Sequence, residues 1–229
     1  MRRCFASRLE PKDSSRSSAT LPPAFHVPDV RLADRHADAL AKLLPLMVCG
    51  EESASMVFAS MSELALPLPV TPLRSIAADE LRHESLLSAL RQALPTQPVD
   101  LRLQATLRRF FIGMADRDIG KHFARIVALD SAVCVLLGEL RRGGRPLAGD
   151  MATDAVLRRI HGDEGRHVRI ARQFAGAMIS KTCAIDAAFG AREGLAQLME
   201  HRADALDALQ VDPSRMMRRL RVVPRGLFV

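Results

Sequence analysis

Apolar residues recur along most of this chain at intervals of three and four, the spacing that gathers side chains on one face of an α-helix. The pattern runs from Val30 to Ala65, where Pro45 is expected to separate a short entry helix from a main helix over about 45–66. Pro67-Leu68-Pro69 forces a turn. A second helix follows over about 72–94, with Thr71 as N-cap and Pro72 at the first helical position. After Pro95 and Pro98, a connecting helix is expected near 101–114 and a third main helix over about 118–142, stopped by Gly143-Gly144-Arg145-Pro146. A fourth runs over about 153–179 and a fifth over about 184–209. No stretch alternates apolar and polar positions as a half-buried strand does.

The expected organisation is therefore all-α: a helical bundle over 31–210, a Ser/Arg/Pro-rich disordered tail over 1–30, and a basic tail over 211–229 forming a short helix or coil. Composition agrees. Hydrophobic residues make up 48% of 229 positions, and Tyr and Trp, on which β-sandwiches lean, are absent. The net charge of +7 rests mainly on arginines in scattered doublets, without aromatic interleaving, so a nucleic-acid platform is not indicated. Such charge reads as a solvated surface, or else as attraction to an acidic partner. The four cysteines form no CxxC pair, and their number suggests no disulfide scaffold. With no apolar run of membrane-spanning length, a cytoplasmic, reducing setting is the default expectation.

Against this apolar background, two polar interruptions repeat. Asp79-Glu80-Leu81-Arg82-His83 lies in the second helix and Asp163-Glu164-Gly165-Arg166-His167 in the fourth. A Glu and a His three residues apart share one helix face. Here that face is apolar: Leu73, Ile76, Leu87 and Leu90 flank the first pair, and Val156, Ile160, Ala171 and Phe174 flank the second. Carboxylates on a buried stripe need compensating charge, and a metal pair supplies it. With only 10 Glu and 7 His in the chain, chance does not readily give two such pairs extended to the same five-residue pattern.

A two-metal bundle site needs one further carboxylate from each remaining helix. In antiparallel helices, residues at one height lie equally far from the turn. The midpoint of Glu52 and Glu80 falls at position 66, and that of Asp130 and Glu164 at position 147, both at turns. Glu52 and Asp130 are thus the expected partners, with Glu51 a rival to Glu52 that the residues leave open. Oxygen and imidazole donors without thiolate suit iron or manganese. Asp79 and Asp163 either accept the second ring N–H of the opposing helix's His or form surface links with Arg82 and Arg166. His161, one turn before Glu164, is an extra ligand or a packing residue. Cys49 and Cys134 lie one turn from Glu52 and Asp130, as core or cavity residues. Met56, Val133, Leu137 and Phe174, beside the ligands, are expected to wall a substrate cavity or simply to fill the core.

The doubled motif, DELRH and DEGRH, resembles that of the acyl carrier protein desaturases, and Gly50-Glu51-Glu52-Ser53 resembles the first-helix ligand region of rubrerythrins. The chain is thus similar, over about 45–179, to the ferritin-like di-iron carboxylate superfamily. The resemblance implies a four-helix bundle with flanking helices and two iron ions (Fe2+/Fe3+, with manganese at one site as a variant) held by Glu52, Glu80, His83, Asp130, Glu164 and His167. It implies an O2-activating oxidoreductase that hydroxylates, desaturates or N-oxygenates a small or carrier-bound substrate. Such an enzyme draws electrons from a ferredoxin- or flavin-reductase-like donor, meets an acidic carrier protein, and forms a homodimer. The chain departs from the family by carrying Asp130 where Glu is usual, by its shortness, and by lacking tyrosine and rubredoxin cysteines. Alternative expectations are a ferroxidase or peroxide-scavenging protein, a di-iron tRNA hydroxylase, and a metal-free interaction protein.

Overall fold

Four long helices carry the architecture. In the computed structural model, which describes Cys4 and residues 29–228, these are α1 (Asp34–Met61), α2 (Thr71–Gln92), α4 (Ile119–Leu140) and α6 (Met151–Met178). Between and after them come α3 (Leu101–Gly113), α5 (Pro146–Gly149), α7 (Lys181–Glu200), α8 (Ala203–Ala208) and α9 (Pro213–Arg221). The described residues form an all-α bundle without strands. Apart from Cys4 and residues 29 and 30, the expected tail over 1–30 lies outside them.

Capping explains most helix starts. Asp100, Asp118, Asp150, Ser180 and Asp212 each accept a backbone N–H from the first turn of α3, α4, α6, α7 and α9. Val70 rather than Thr71 holds the cap position of α2. Pro45 does not divide α1, contrary to expectation. A proline costs one backbone hydrogen bond and some steric strain, about 3 kcal/mol. Here Leu40, Leu43, Leu44, Leu46 and Met47 are all buried around it, so packing keeps the helix continuous.

The expected fifth helix is likewise two, broken at His201 and Arg202. The stretch that charge alone sets apart as a tail contains α9, whose Met216, Met217 and Leu220 are buried against the bundle. Arg221 pairs with Glu193 (2.9 Å) and Glu200 (2.6 Å) on α7, and Arg219 with Glu139 on α4. Of the other arginine doublets, Arg141 at the end of α4 pairs with Asp154 on α6, whereas Arg158 and Arg159 pair within α6, with Asp154 and Asp163. Several arginines therefore tie helices together, and others brace α6 along its own length.

The long helices pack as two antiparallel hairpins, α1 with α2 and α4 with α6. The hairpins meet along α2 and α6, while α1 and α4 face each other across a gap. Helix α3 roofs that gap. Phe111 reaches Gly50 on α1, where an added Cβ would meet the ring at 3.4 Å, and Phe110 sits on Gly194 of α7, where a Cβ would meet it at 2.7 Å. A side chain at residue 194 would lift the roof.

A disulfide joins Cys4 to Cys49 on α1, with Cα atoms 5.7 Å apart. The sequence reading anticipated no such link, because the separation of 45 residues carries no spacing signal. Among the described residues, no helix is long and apolar enough to cross a membrane.

Candidate metal centre

The two DExRH motifs sit opposite each other on α2 and α6 and are related by a local two-fold. His83 turns Nε2 toward Asp163 Oδ2 at 3.2 Å, and His167 turns Nε2 toward Asp79 Oδ2 at 3.4 Å. Each aspartate thus partners the outer ring nitrogen of the opposing helix's imidazole and leaves Nδ1 facing inward, the arrangement in which a metal ion would take the Nδ1 lone pair. The two readings of Asp79 and Asp163 hold together, since both also bind guanidinium groups. Asp79 accepts from Arg82 (2.6 Å) and Arg166, and Asp163 from Arg159 (2.8 Å). Burial acts to raise both carboxyls, but Arg166 and Arg82 draw Asp79 below the usual carboxylate range, and His83 and then Arg159 do the same for Asp163.

Inside this frame, Glu51, Glu80, His83 and Glu164 each bring one donor atom within 4.8 Å of the others, a buried group that can hold a metal ion. His83 Nδ1 lies 3.1 Å from Glu51, 3.2 Å from Glu80 and 3.7 Å from Glu164. His167 Nδ1 lies 3.0 Å from Glu80 and 3.8 Å from Glu164. The rings of His83 and His167 stack with centroids 5.7 Å apart.

The structure places Glu51, not Glu52, in the cluster. Glu52 accepts the backbone N–H of Cys4 at 2.6 Å and lines a different cavity, between α1, α2 and α3. The two are successive residues on α1, about 100° apart around its axis, so the turn-midpoint argument cannot separate them. A signal was present in the stripe Leu40, Leu44, Met47, Phe58, whose spacing passes through Glu51. Asp130 is buried at the same cavity but stands outside the four-residue group, and its Oδ2 has no hydrogen-bond partner among the described residues. His161 is not brought to the cluster. Its Nδ1 lies 3.1 Å from Arg141 Nη1, and its ring packs beside Gly138.

Charge explains why the group calls for a cation. Burial pushes Glu51, Asp130 and Glu164 well above the usual carboxyl range, and the nearby Glu80 carboxylate pushes further. Burial acts on Glu80 too, but the imidazoles of His167 and His83 outweigh it and hold Glu80 far below that range. One anion is tolerated where four carboxyls meet. Without metal, the folded chain keeps protons that the unfolded chain releases at ordinary values of about 4 to 4.5. Raised folded pKa values mean that the unfolded state binds fewer protons above that range, so stability falls as pH rises. Melting of metal-free protein is expected to drop as pH rises above about 5, and Glu51→Gln to flatten that slope. An equal slope in the variant would mean that Glu51 carries no buried-charge cost.

The Cys134 thiol is pushed up to about 12, first by burial and then by Glu164 and Asp130, so it stays protonated. Next to the carboxyls lies a narrow cavity between α1 and α4, lined by Leu46, Met47, Val57, Ile126, Leu129 and Val133 among others. Of the side chains expected to wall it, Val133 does, whereas Phe174 stacks on Phe123 in the core.

The fold and the site define an all-helical bundle with a buried Glu/His cluster able to hold a metal ion. No family model matches the sequence, and neither the curated proteins nor the solved structures give a match.

Proposed function

We propose that this chain is a ferritin-like di-iron oxidoreductase that uses O2 to oxidise an organic substrate. One observation carries the reading: the crossed DExRH motifs aim both imidazole Nδ1 atoms at a buried carboxyl group set that has more acid than it can ionise. The donors fit a metal pair. Glu51, Glu80 and His83 would hold one ion and Asp130, Glu164 and His167 the other, with Glu80 and Glu164 within reach of both imidazoles. Two donor atoms support a further cation in particular. Asp130 Oδ2 is buried without a partner, and His167 Nδ1, although 3.0 Å from Glu80, lies in no hydrogen-bonding direction. Oxygen and nitrogen donors without thiolate favour iron or manganese.

When bound, two ferrous ions supply the electrons that reduce O2. The chain's own residues set the conditions. Asp79 and Asp163 keep the imidazoles in the metal-binding tautomer, and Arg82, Arg159 and Arg166 hold those aspartates in place. Carboxylates tolerate changes of binding mode as the metal charge changes. The apolar walls between α1 and α4 exclude water and accommodate an organic molecule, which favours this reading over iron or peroxide alone as substrate. Electrons return from an external donor. Iron content and O2 uptake test the reading: anaerobically loaded protein should hold about two irons per chain and consume O2 on exposure. Folded, iron-supplied protein that holds no metal would exclude it.

A further inference from the structure

The cavity beside the carboxyl cluster is apolar along nearly its whole length. Apart from the carboxyls and the small Ser53, its one polar side chain is His122, in the first turn of α4. His122 is 9% exposed, and its imidazole makes no hydrogen bond to any other described residue. The charged groups near it, Arg125 and Asp116, are paired with each other at 2.8 Å. A largely buried ring whose nitrogens stay accessible and make no hydrogen bond, in the lining of an apolar cavity, is the kind of group that fixes a ligand's orientation. Burial, with help from Arg125, draws the His122 pKa down, so the ring is neutral at physiological pH and offers one N–H donor.

We infer that His122 is a specificity-determining residue whose ring N–H receives the hydrogen-bond-accepting end of a slender apolar substrate, the body of which lies along α4 toward the carboxyl cluster. The eight-residue step from His122 to Asp130 along α4 sets the span, about 12 Å at 1.5 Å per residue. Ile126 and Leu129 line the way between, so the intervening part of the molecule must be apolar and thin. A cationic end is disfavoured, because Arg125 stands beside His122 and Asp116, the carboxylate that acts on the ring, is taken up by Arg125 at 2.8 Å. The inference rests on the di-iron reading for the reacting end only; the anchored end depends on the cavity.

The test uses two straight-chain probes of roughly that span: 2-nonanone, with an acceptor at one end, and nonylamine, with none when protonated. Binding to full-length protein, iron-loaded and metal-free, is followed by ligand-detected NMR. Wild-type protein should bind the ketone at least about tenfold more tightly than the amine, and His122→Leu should lose that preference. Ile126→Phe, which fills the passage, should abolish ketone binding while iron content stays unchanged. A ketone affinity unaltered by His122→Leu, or no binding to either form of the wild type, would overturn the assignment. Ketone binding that depends on His122 in a chain that takes up no iron would leave the anchor standing and remove the di-iron reading. Iron uptake without ketone binding would do the reverse.

Discussion

Glu80→Ala protein supplied with iron is expected to bind the metal at least about 100-fold more weakly than the wild type. Removing a group that merely orients a ligand typically costs 10–100-fold, and Glu80 contacts both imidazoles directly, at 3.2 and 3.0 Å. Glu51→Ala should approach this loss. Glu52→Ala should not, because the Glu52 carboxylate binds the Cys4 backbone instead of joining the cluster. Titration of the three variants with ferrous iron, read by metal analysis after desalting, ranks them directly. Equal losses for Glu51 and Glu52 would mean that α1 presents a different face to the centre from the one seen here.

The second large effect concerns Arg192, the largest fully buried side chain of the molecule among the described residues. No carboxylate among the described residues partners it. Its guanidinium donates instead to the carbonyls of Leu220 (2.7 Å), Ala128 (3.2 Å) and Arg219 (3.4 Å) and to Ser131 Oγ (2.6 Å). Two of those carbonyls belong to the last turn of α9, where backbone acceptors lack intrahelical donors and a cation is favoured. Burial draws the guanidinium pKa down only to about 10, so the charge persists at neutral pH. Arg192→Ala leaves a cavity and unsatisfied carbonyls, and is expected to cost about 3 kcal/mol or more. Arg192→Lys should recover only part, because an ammonium does not reproduce the planar fork. Denaturant unfolding measures both. A loss below about 1 kcal/mol would mean that α9 docks through its apolar face alone.

Much of this was legible from residue spacing. Helix periodicity located all four bundle helices, and the doubled motif located Glu80, His83, Glu164 and His167 on inward faces. The local two-fold follows from the same doubling, since two copies on antiparallel helices place each Asp opposite the other copy's His. Other features depend on tertiary context that no local pattern encodes. Pro45 sits inside a helix because its neighbours are packed on the core side. Cys4 and Cys49 meet across 45 residues. Arg192 reads as a surface arginine of an amphipathic helix until α9 folds over it. His122 lies in an otherwise ordinary helix start, and only the gap between α1 and α4 sets it apart.

That gap also decides how anything reaches the centre. Helix α3, which roofs it, buries only Leu107 of its 13 residues fully and rests on the bundle through that residue, Leu103 and two phenylalanine rings. Segments held by so few buried contacts unfold locally long before the whole protein does. The roof is thus the least deeply packed wall of the cavity, and any route to the carboxyl cluster through that wall would need only α3 to move, not the bundle beneath it.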